Sequence, residues 1–166
     1  LKIKTNKEFP NSICSDKKMI KQIINNLLGN SIKFTHNNSV QINIDYLDDN
    51  IIIKIHDNGI GIPQEDKKKL FQPFFQSNDS NNTPDGLGLG LSNSKLIIEK
   101  LQGTTGFIES KFKTSIQIKF PDDYNKLNNI IDDDYNITNI NLDSINLNEF
   151  DLATKLLSSN KLNDNY

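Results

Sequence analysis

The segment NNLLGNSIKFT, residues 25–35, decides how this chain is interpreted. It continues a helical pattern in which one face is aliphatic and the other carries two asparagines. At 3.6 residues per turn, Asn26, Asn30 and Lys33 project from the same side of that helix. Carboxamides are poor helix formers and are costly to bury without a partner, so the pattern leaves two interpretations open: a solvated outer face, or a row of ligand-binding side chains. The aliphatic face consists of Ile20, Ile23, Ile24, Leu27, Leu28 and Ile32.

Composition excludes several classes of protein. The chain has 166 residues and a net charge of −2, with acids and bases interspersed, so neither a nucleic-acid surface nor contact with an anionic membrane is expected. No apolar run approaches the roughly 20 residues that span a bilayer. A single cysteine, Cys14, excludes an internal disulfide framework, and a reducing, cytoplasmic location is expected. The first residues lack an initiator methionine and the apolar core of a signal peptide, which suggests a segment of a longer protein.

The distribution of hydrophobic, turn-forming and Asn/Asp residues divides the chain into two unequal parts. Residues 1–121 alternate between periodic segments and turn signals, which predicts one domain. Residues 122–166 are rich in Asn and Asp with isolated aliphatics, and this part is expected to be a disordered tail or linker, with a weak helix at 147–158 at most. The predicted elements of the domain are strands at 1–5, 39–47, 51–57, 104–110 and 113–120, and helices at about 17–35, 64–71 and 89–102.

A first glycine box, Asp57-Asn58-Gly59-Ile60-Gly61, directly follows a predicted strand. Glycines at this spacing allow the backbone to approach a flat ligand closely. An aspartate that ends the strand can accept a hydrogen bond from an exocyclic amine. Taken alone, the box is equally compatible with a plain turn capped by Asp57.

A second glycine box, Gly86-Leu87-Gly88-Leu89-Gly90-Leu91, opens a predicted helix. Successive backbone N–H groups and the positive end of a helix form an anion site suited to phosphate. The box is not a Walker A loop, because no Gly-Lys-Ser/Thr follows, and half of the dinucleotide fingerprint is missing. A glycine run alone also fits a flexible loop.

Together and in this order, the segments resemble the ATP-binding catalytic domain of sensor histidine kinases. That superfamily is shared with gyrase, the mismatch-repair ATPases and the 90-kilodalton chaperone. Residues 25–35 are similar to its N box, 57–63 to its first glycine box, 70–76 to its F box, and 86–103 to its second glycine box with the following helix. The resemblance covers about residues 10–121.

The resemblance implies a Bergerat-type ATP-binding fold. This is a two-layer α/β (α+β) sandwich in which a mixed, mostly antiparallel sheet carries helices on one face, with ATP between the helices and a lid. The helices at 17–35 and 89–102 should then pack on the same face of the sheet.

At the phosphate end, the resemblance implies a magnesium site. Asn30 is similar to the asparagine that ligates Mg²⁺, since a carboxamide oxygen is a hard donor suited to this ion. Asn26 would assist through water or the metal shell, and Lys33 would meet a phosphate.

At the adenine end, the resemblance implies that Asp57 holds the amino group of the base. Gly59 and Gly61 would give the base room. Thr114 matches the threonine or serine that steadies Asp57 and the base through water. Phe34 either lines the adenine pocket or simply packs.

Around the phosphates, the resemblance implies a wrapping backbone. Its expected contacts are the N–H groups of Gly86, Leu87, Gly88, Leu89 and Gly90. The polar loop at 76–86 would be the ATP lid. The aromatic residues Phe71, Phe74 and Phe75 would anchor that lid.

Asn26 separates the activities found within the superfamily. Hydrolysing branches carry a glutamate at this position as a general base for water, and an amide cannot take that proton near neutral pH. The resemblance therefore implies phosphoryl transfer from Mg-ATP to a histidine, with two alternatives: a non-enzymatic nucleotide-binding module, and a serine-protein kinase or ATPase of the same superfamily.

The implied partners lie outside this chain. In the family, the phosphoacceptor histidine belongs to an upstream helical-hairpin dimerisation domain, and the phosphate passes to a receiver domain. A homodimer is therefore implied for a full-length protein. His36 and His56 do not lie in acceptor-like helices and are expected to be structural.

Three departures from the family pattern bear on activity. Leu87 occupies a position that usually carries a small hydroxyl. The last hairpin lacks the glycines that normally precede Thr114, and its SKFK turn is short. Arginine is absent from the chain, and the lid contains no lysine.

Overall fold

The computed structural model describes residues 1–5, 10, 12–35, 39–77, 87–122 and 137–141, the last of these as backbone. This part of the chain contains seven strands and two helices. In chain order they are β1 (Lys2–Thr5), β2 (Ser12–Asp16), α1 (Lys17–Lys33), β3 (Gln41–Leu47), β4 (Asn50–Asp57), α2 (Gly90–Lys100), β5 (Thr104–Phe107), β6 (Thr114–Pro121) and β7 (Ile137–Asn141).

Helix α1 begins where the Asp16 cap signal predicts and ends at Lys33, two residues before the predicted end. Asp16 is the N-cap, and its side chain accepts a hydrogen bond of 2.9 Å from the backbone N–H of Met19. At the C-terminus, the N–H of Phe34 donates to the Asn30 carbonyl at 3.0 Å. The whole predicted aliphatic face is buried, which confirms the helical period.

The main sheet has five strands in the order β1-β3-β4-β6-β5. Only β1 and β3 pair in parallel, whereas the other neighbours are antiparallel. Along β4, Ile51, Ile53 and Ile55 are buried, and the residues between them, such as Lys54, point to the opposite face. Helix α1 packs on β4, and α2 packs on β5, β6 and α1. The predicted two-layer sandwich with helices on one face is confirmed.

The core lies between this sheet and the two helices. Each fully buried isoleucine, leucine or phenylalanine stabilises the fold by about 1.5–3 kcal/mol relative to exposure. The largest side chains that are almost completely buried are Phe120, Ile23, Leu27, Leu28, Ile51, Ile55, Ile98, Leu101 and Ile118.

The helix predicted at 64–71 is wrong. The segment forms consecutive turns, with Asp66 N bonded to Pro63 O and Lys69 N bonded to Asp66 O. Only the Leu70 N–H reaches four residues back, to the Asp66 carbonyl at 3.0 Å. Helix nucleation is costly, and a segment this short has too few i→i−4 bonds to offset that cost.

A second, two-stranded sheet was not predicted. Strand β2 pairs antiparallel with β7, and Ile13 lies opposite Ile140. Strand β7 lies within the segment that was expected to be a tail or linker. The rest of the tail after Asp122, including the helix predicted at 147–158, lies outside the described residues. The division of the chain at residue 121 stays a prediction.

Neither helix in the described ranges is long and apolar enough to cross a membrane.

Candidate ATP-binding site

The strand pair β4–β6 ends with two polar side chains of the predicted adenine end of the site. Asp57 is the last residue of β4 and lies opposite Thr114, the first residue of β6. Both are almost fully buried. The Asp57 Oδ1 atom accepts a hydrogen bond of 3.0 Å from the N–H of Gly59, so the carboxylate is fixed by the turn that follows it. The second oxygen, Oδ2, is then the atom that can meet a ligand.

The first glycine box is joined to the end of α1. A Cβ atom placed on Gly59 would lie 2.2 Å from the Phe34 carbonyl oxygen, a distance that no side chain tolerates. The next N–H, that of Ile60, donates to the same carbonyl at 3.2 Å. The ring of half-buried Phe34 lies under the Lys33 ammonium, with 5.2 Å between Nζ and the ring centroid. Gly61 continues the turn.

The two asparagines of α1 meet the start of α2. The Asn26 amide nitrogen donates to the Gly90 carbonyl at 3.3 Å and to the Ser94 hydroxyl at 3.2 Å. The Asn30 amide lies 4.0 Å from where a Cβ on Gly90 would be. Assigning the Asn26 nitrogen from these two acceptors leaves its Oδ1 as the atom able to face a metal or water. Asn26 and Asn30 therefore lie against Gly90, the last glycine of the second glycine box.

The second glycine box presents backbone groups at the beginning of α2. Its N-cap residue, Leu89, makes no side-chain capping hydrogen bond, so the Leu89 side chain does not compete with an anion for the first N–H groups of the helix. Gly88 has φ +66°, and a Cβ there would lie 2.9 Å from the Phe75 carbonyl oxygen. Leu87 is exposed, and Gly86 lies outside the described residues.

The F box contacts the second glycine box through its backbone. The Phe74 N–H donates to the Gly88 carbonyl at 3.1 Å, while the Phe74 side chain is 72% exposed. Phe71 packs on Phe107, with 5.4 Å between ring centroids. None of the three F-box phenylalanines belongs to the buried core, and their anchoring of the lid stays a prediction. Of the predicted lid, residues 78–86 lie outside the described residues.

The donor set fits a magnesium ion held by amide oxygens. Among the described residues, no group of three or more His, Cys, Asp or Glu side chains is placed to hold a metal. The neutral carboxamides of Asn26 and Asn30 are hard oxygen donors, and Mg²⁺ commonly binds few protein ligands and completes its shell with phosphate and water.

One site residue was missed by sequence reasoning. Ser94 is completely buried in α2, donates to the Gly90 carbonyl at 2.9 Å and accepts from Asn26. The available signal was a serine four residues after a glycine at a helix start, a spacing that places its hydroxyl over the first turn.

Comparisons with known proteins agree with this geometry. Residues 15–124, about two thirds of the chain, match the family model described as histidine kinase-, DNA gyrase B-, and HSP90-like ATPase. The chain is 36% identical over 107 residues to the sensor protein CiaH of Streptococcus pneumoniae, covering 63% of this chain and 24% of CiaH. It is 35% identical over 106 residues to the signal transduction histidine-protein kinase BarA of Escherichia coli K12, covering 60% of this chain and 12% of BarA.

The solved structures that superpose on this chain include histidine kinases. The nucleotide-free catalytic domain of histidine kinase ThkA superposes with a TM-score of 0.62 at 27% identity, covering 72% of this chain and 76% of that one. Histidine kinase AdeS of Acinetobacter baumannii gives a TM-score of 0.57 at 28% identity, covering 74% of this chain and 53% of that one.

The chain belongs to the histidine kinase-, gyrase B- and HSP90-like ATPase family. Within it, the predicted resemblance to sensor histidine kinase catalytic domains is confirmed, and ATP is the nucleotide that this family uses. The chain spans about a quarter or less of the length of CiaH and BarA.

Proposed function

We propose that this chain is the ATP-binding catalytic domain of a protein-histidine kinase. It transfers the γ-phosphate of Mg-ATP to a histidine on a separate or upstream dimerisation domain, from which a receiver domain takes the phosphate. The observation that carries the proposal is the junction of Asn26 and Asn30 with Gly90, because it unites the polar face of α1 with a helix start suited to phosphate. The full-length protein acts as a homodimer in the reducing, ATP-containing cytoplasm.

Adenine binds at the end of β4. The Oδ2 atom of Asp57 accepts a hydrogen bond from the exocyclic amine of the base, while Oδ1 stays bound to Gly59. Thr114 faces the same end of the sheet and supports the base through water. Gly59 and Gly61 keep side chains out of the plane of the base, and Phe34 closes the pocket at the end of α1.

The phosphates bind between the two helices. Asn30 would hold Mg²⁺ through its amide oxygen, and Asn26 would contribute its oxygen directly or through water. Bound Mg²⁺ would neutralise phosphate charge and orient the γ-phosphate for transfer. The backbone N–H groups from Gly86 to Gly90 wrap the phosphates, and the exposed Lys33 ammonium adds a positive charge nearby.

Transfer is favoured over hydrolysis because no base for water occupies position 26. Asn26 donates its amide hydrogens to the Gly90 carbonyl and to Ser94. A general base must instead accept a proton from water, which a neutral amide cannot do near pH 7. Catalysis then rests on positioning and charge stabilisation, with a histidine ring as the attacking group.

A non-enzymatic nucleotide-binding module is the second candidate, and Leu87 favours it. This side chain is 74% exposed at a position where the family usually has a small hydroxyl, so one phosphate contact is replaced by an apolar surface. The two candidates share ATP binding and differ only in phosphate transfer.

The test uses ATP labelled in its γ-phosphate and a separately supplied histidine-containing dimerisation domain. We expect label on that domain only when this chain, Mg²⁺ and ATP are all present, in an acid-labile and base-stable form typical of phosphohistidine. A dimerisation domain with its acceptor histidine replaced by glutamine is the control. ATP binding without any transfer would favour the non-enzymatic module, and free phosphate production without transfer would favour an ATPase.

A further inference from the structure

A row of polar side chains crosses three strands on the sheet face that the helices leave uncovered. The row runs from Gln41 and Asn43 on β3, through His56 on β4, to Ser115 on β6 and then to Ser110. Its successive contacts measure 2.9 Å between Gln41 and Asn43, 3.4 Å between Asn43 and His56, 2.7 Å between His56 and Ser115, and 2.6 Å between the two serines. The row is not part of the nucleotide site, which lies on the other face.

The bonding pattern of the row fits a neutral His56. Asn43 accepts from the Gln41 amide, so its own amide nitrogen is directed at His56 Nε2, which must then be the acceptor. The other ring nitrogen, Nδ1, carries the hydrogen and donates to the Ser115 hydroxyl. A doubly protonated ring would place two donors face to face at Asn43. Every hydrogen bond of the row therefore forms when His56 is neutral, and the bond from Asn43 to His56 is lost when the ring is charged.

This row lies directly behind the adenine end of the proposed site. His56 precedes Asp57 on β4, and Ser115 follows Thr114 on β6, so the pairs His56–Ser115 and Asp57–Thr114 are adjacent rungs of one ladder. The Asp57–Thr114 rung is the last of that ladder. Terminal rungs have a neighbour on one side only and open most readily. The side-chain hydrogen bond between His56 and Ser115 is a further link between β4 and β6 next to this end.

We propose that His56 is a positioning residue for adenine binding: through Ser115 it holds Asp57 and Thr114 in register, and its protonation weakens nucleotide binding. The inference rests on the proposed ATP site. His56 does not touch the nucleotide. It affects binding by fixing the distance between the end of β4 at Asp57 and the start of β6 at Thr114.

The surroundings of His56 oppose its charged form. The ring is 5% exposed and stacks on Phe112, with 4.8 Å between ring centroids. Burial lowers the pKa of His56 below its ordinary value of 6.5, nearby Lys54 lowers this pKa further, and the Asp57 carboxylate partly opposes both.

Lys54 and two further charged side chains, Asp45 and Lys111, lie near this row. The Lys54 ammonium is paired with the Asp45 carboxylate at 3.0 Å, and the Lys111 ammonium lies 5.7 Å from the Phe112 ring centroid. The remaining members of the row are neutral amides and hydroxyls.

The lowered pKa of His56 also sets the direction of the stability change. As pH falls below about 6.5, the unfolded chain takes up a proton at this histidine before the folded chain does. The contribution of His56 to stability is therefore present above that pH and is lost on acidification. Stability should therefore begin to fall near pH 6.5, whereas binding should weaken at the lower pH where the folded ring takes up its proton.

The experiment measures ATP affinity at pH 7.5 and at a pH below the midpoint of the His56 ring titration, for the wild-type chain, His56→Asn and Ser115→Ala. The amide nitrogen of asparagine lies close to the position of ring Nδ1, so His56→Asn keeps a donor for Ser115 and cannot be protonated in this range. ATP itself takes up a proton in this range, and this affects every variant equally. We therefore calculate, for each protein, the ratio of its affinities at the two pH values, and compare the wild-type ratio with that of each variant. Gln117→Ala, on the same face of β6, is the matched control.

We expect the wild-type affinity to fall on acidification by about two- to tenfold more than that of His56→Asn, the size of one neutral hydrogen bond. Ser115→Ala should already bind more weakly at pH 7.5, and Gln117→Ala should behave as wild type. The chain has two histidines, so NMR titration can follow the His56 ring, with His36→Gln assigning the signals. The ring should begin to titrate in the range where affinity falls.

Three results would overturn the proposal: equal pH ratios in wild type and His56→Asn, unchanged affinity in Ser115→Ala, or a His56 ring that titrates without a change in affinity. Asp57→Asn separates this failure from failure of the ATP site. If Asp57→Asn weakens ATP binding while the histidine and serine variants do not, the site stands and the positioning role is wrong. Should His56→Asn fail to fold, Ser115→Ala and the wild-type titration still decide the question.

Discussion

Asp57→Asn should weaken ATP binding by about tenfold or more, because a hydrogen bond to a charged group contributes about 1.5–3 kcal/mol. The structure explains why this change is selective. Asparagine retains an oxygen in the place of Oδ1, which accepts from the Gly59 N–H at 3.0 Å, and so the turn is preserved. Its amide nitrogen then replaces Oδ2, where it meets the amino group of adenine donor to donor. Calorimetric titration with ATP measures the loss.

Asp48→Asn is the matched control for this substitution. Asp48 lies in the β3–β4 turn at the opposite end of β4 and has φ +50°, a conformation that asparagine adopts readily. The two variants therefore make the same chemical change at the two ends of one strand. Equal ATP affinities for the Asp57 and Asp48 variants would show that Asp57 does not bind adenine.

Asn30→Ala should remove most of the Mg²⁺-dependent part of ATP binding. The loss of one ligand to a charged centre corresponds to about ten- to hundredfold in affinity. Adenosine binding should stay unchanged, because Asn30 lies on α1 beside Gly90, whereas Asp57 ends β4. The measurement is ATP affinity with Mg²⁺ and with a chelator, for wild type and variant.

Helix α1 offers a control of the same residue type. Asn25 is exposed on this helix, and Asn25→Ala should retain the full Mg²⁺ dependence. Alanine is the better helix former, so neither substitution should lower stability through helix propensity. If Asn30→Ala responds to Mg²⁺ as strongly as Asn25→Ala does, Asn30 is a structural residue and not a metal ligand.

Local signals in the sequence were sufficient to predict α1 and β4, the helix and strand that hold Asn26, Asn30 and Asp57. The Asp16 cap and the aliphatic period predicted α1, and the alternation of Ile51, Ile53 and Ile55 predicted β4 with Asp57 at its end. These features depend on residues close together in sequence, so pattern alone can detect them. The expectation that His56 is structural agrees with its burial.

The unpredicted features depend on residues far apart in the chain. Strand β2 is five residues long, and its partner β7 lies more than a hundred residues away, so no local period marks the pair. The bond from Asn26 to Ser94 spans 68 residues, and the bond from His56 to Ser115 spans 59. Helical propensity at 64–71 was a local signal that the folded structure did not follow, because this short segment lacks the bonds that sustain a helix.

The most direct measurement of the central claim compares ATP with GTP on the wild-type chain in the presence of Mg²⁺. Adenine presents an amino group to Asp57, whereas guanine presents an oxygen at the same ring position, which the carboxylate repels. We predict saturable binding of ATP and at least about tenfold weaker binding of GTP, the equivalent of one charged hydrogen bond. Equal affinities for the two nucleotides, or no binding of ATP, would contradict an ATP site built on Asp57.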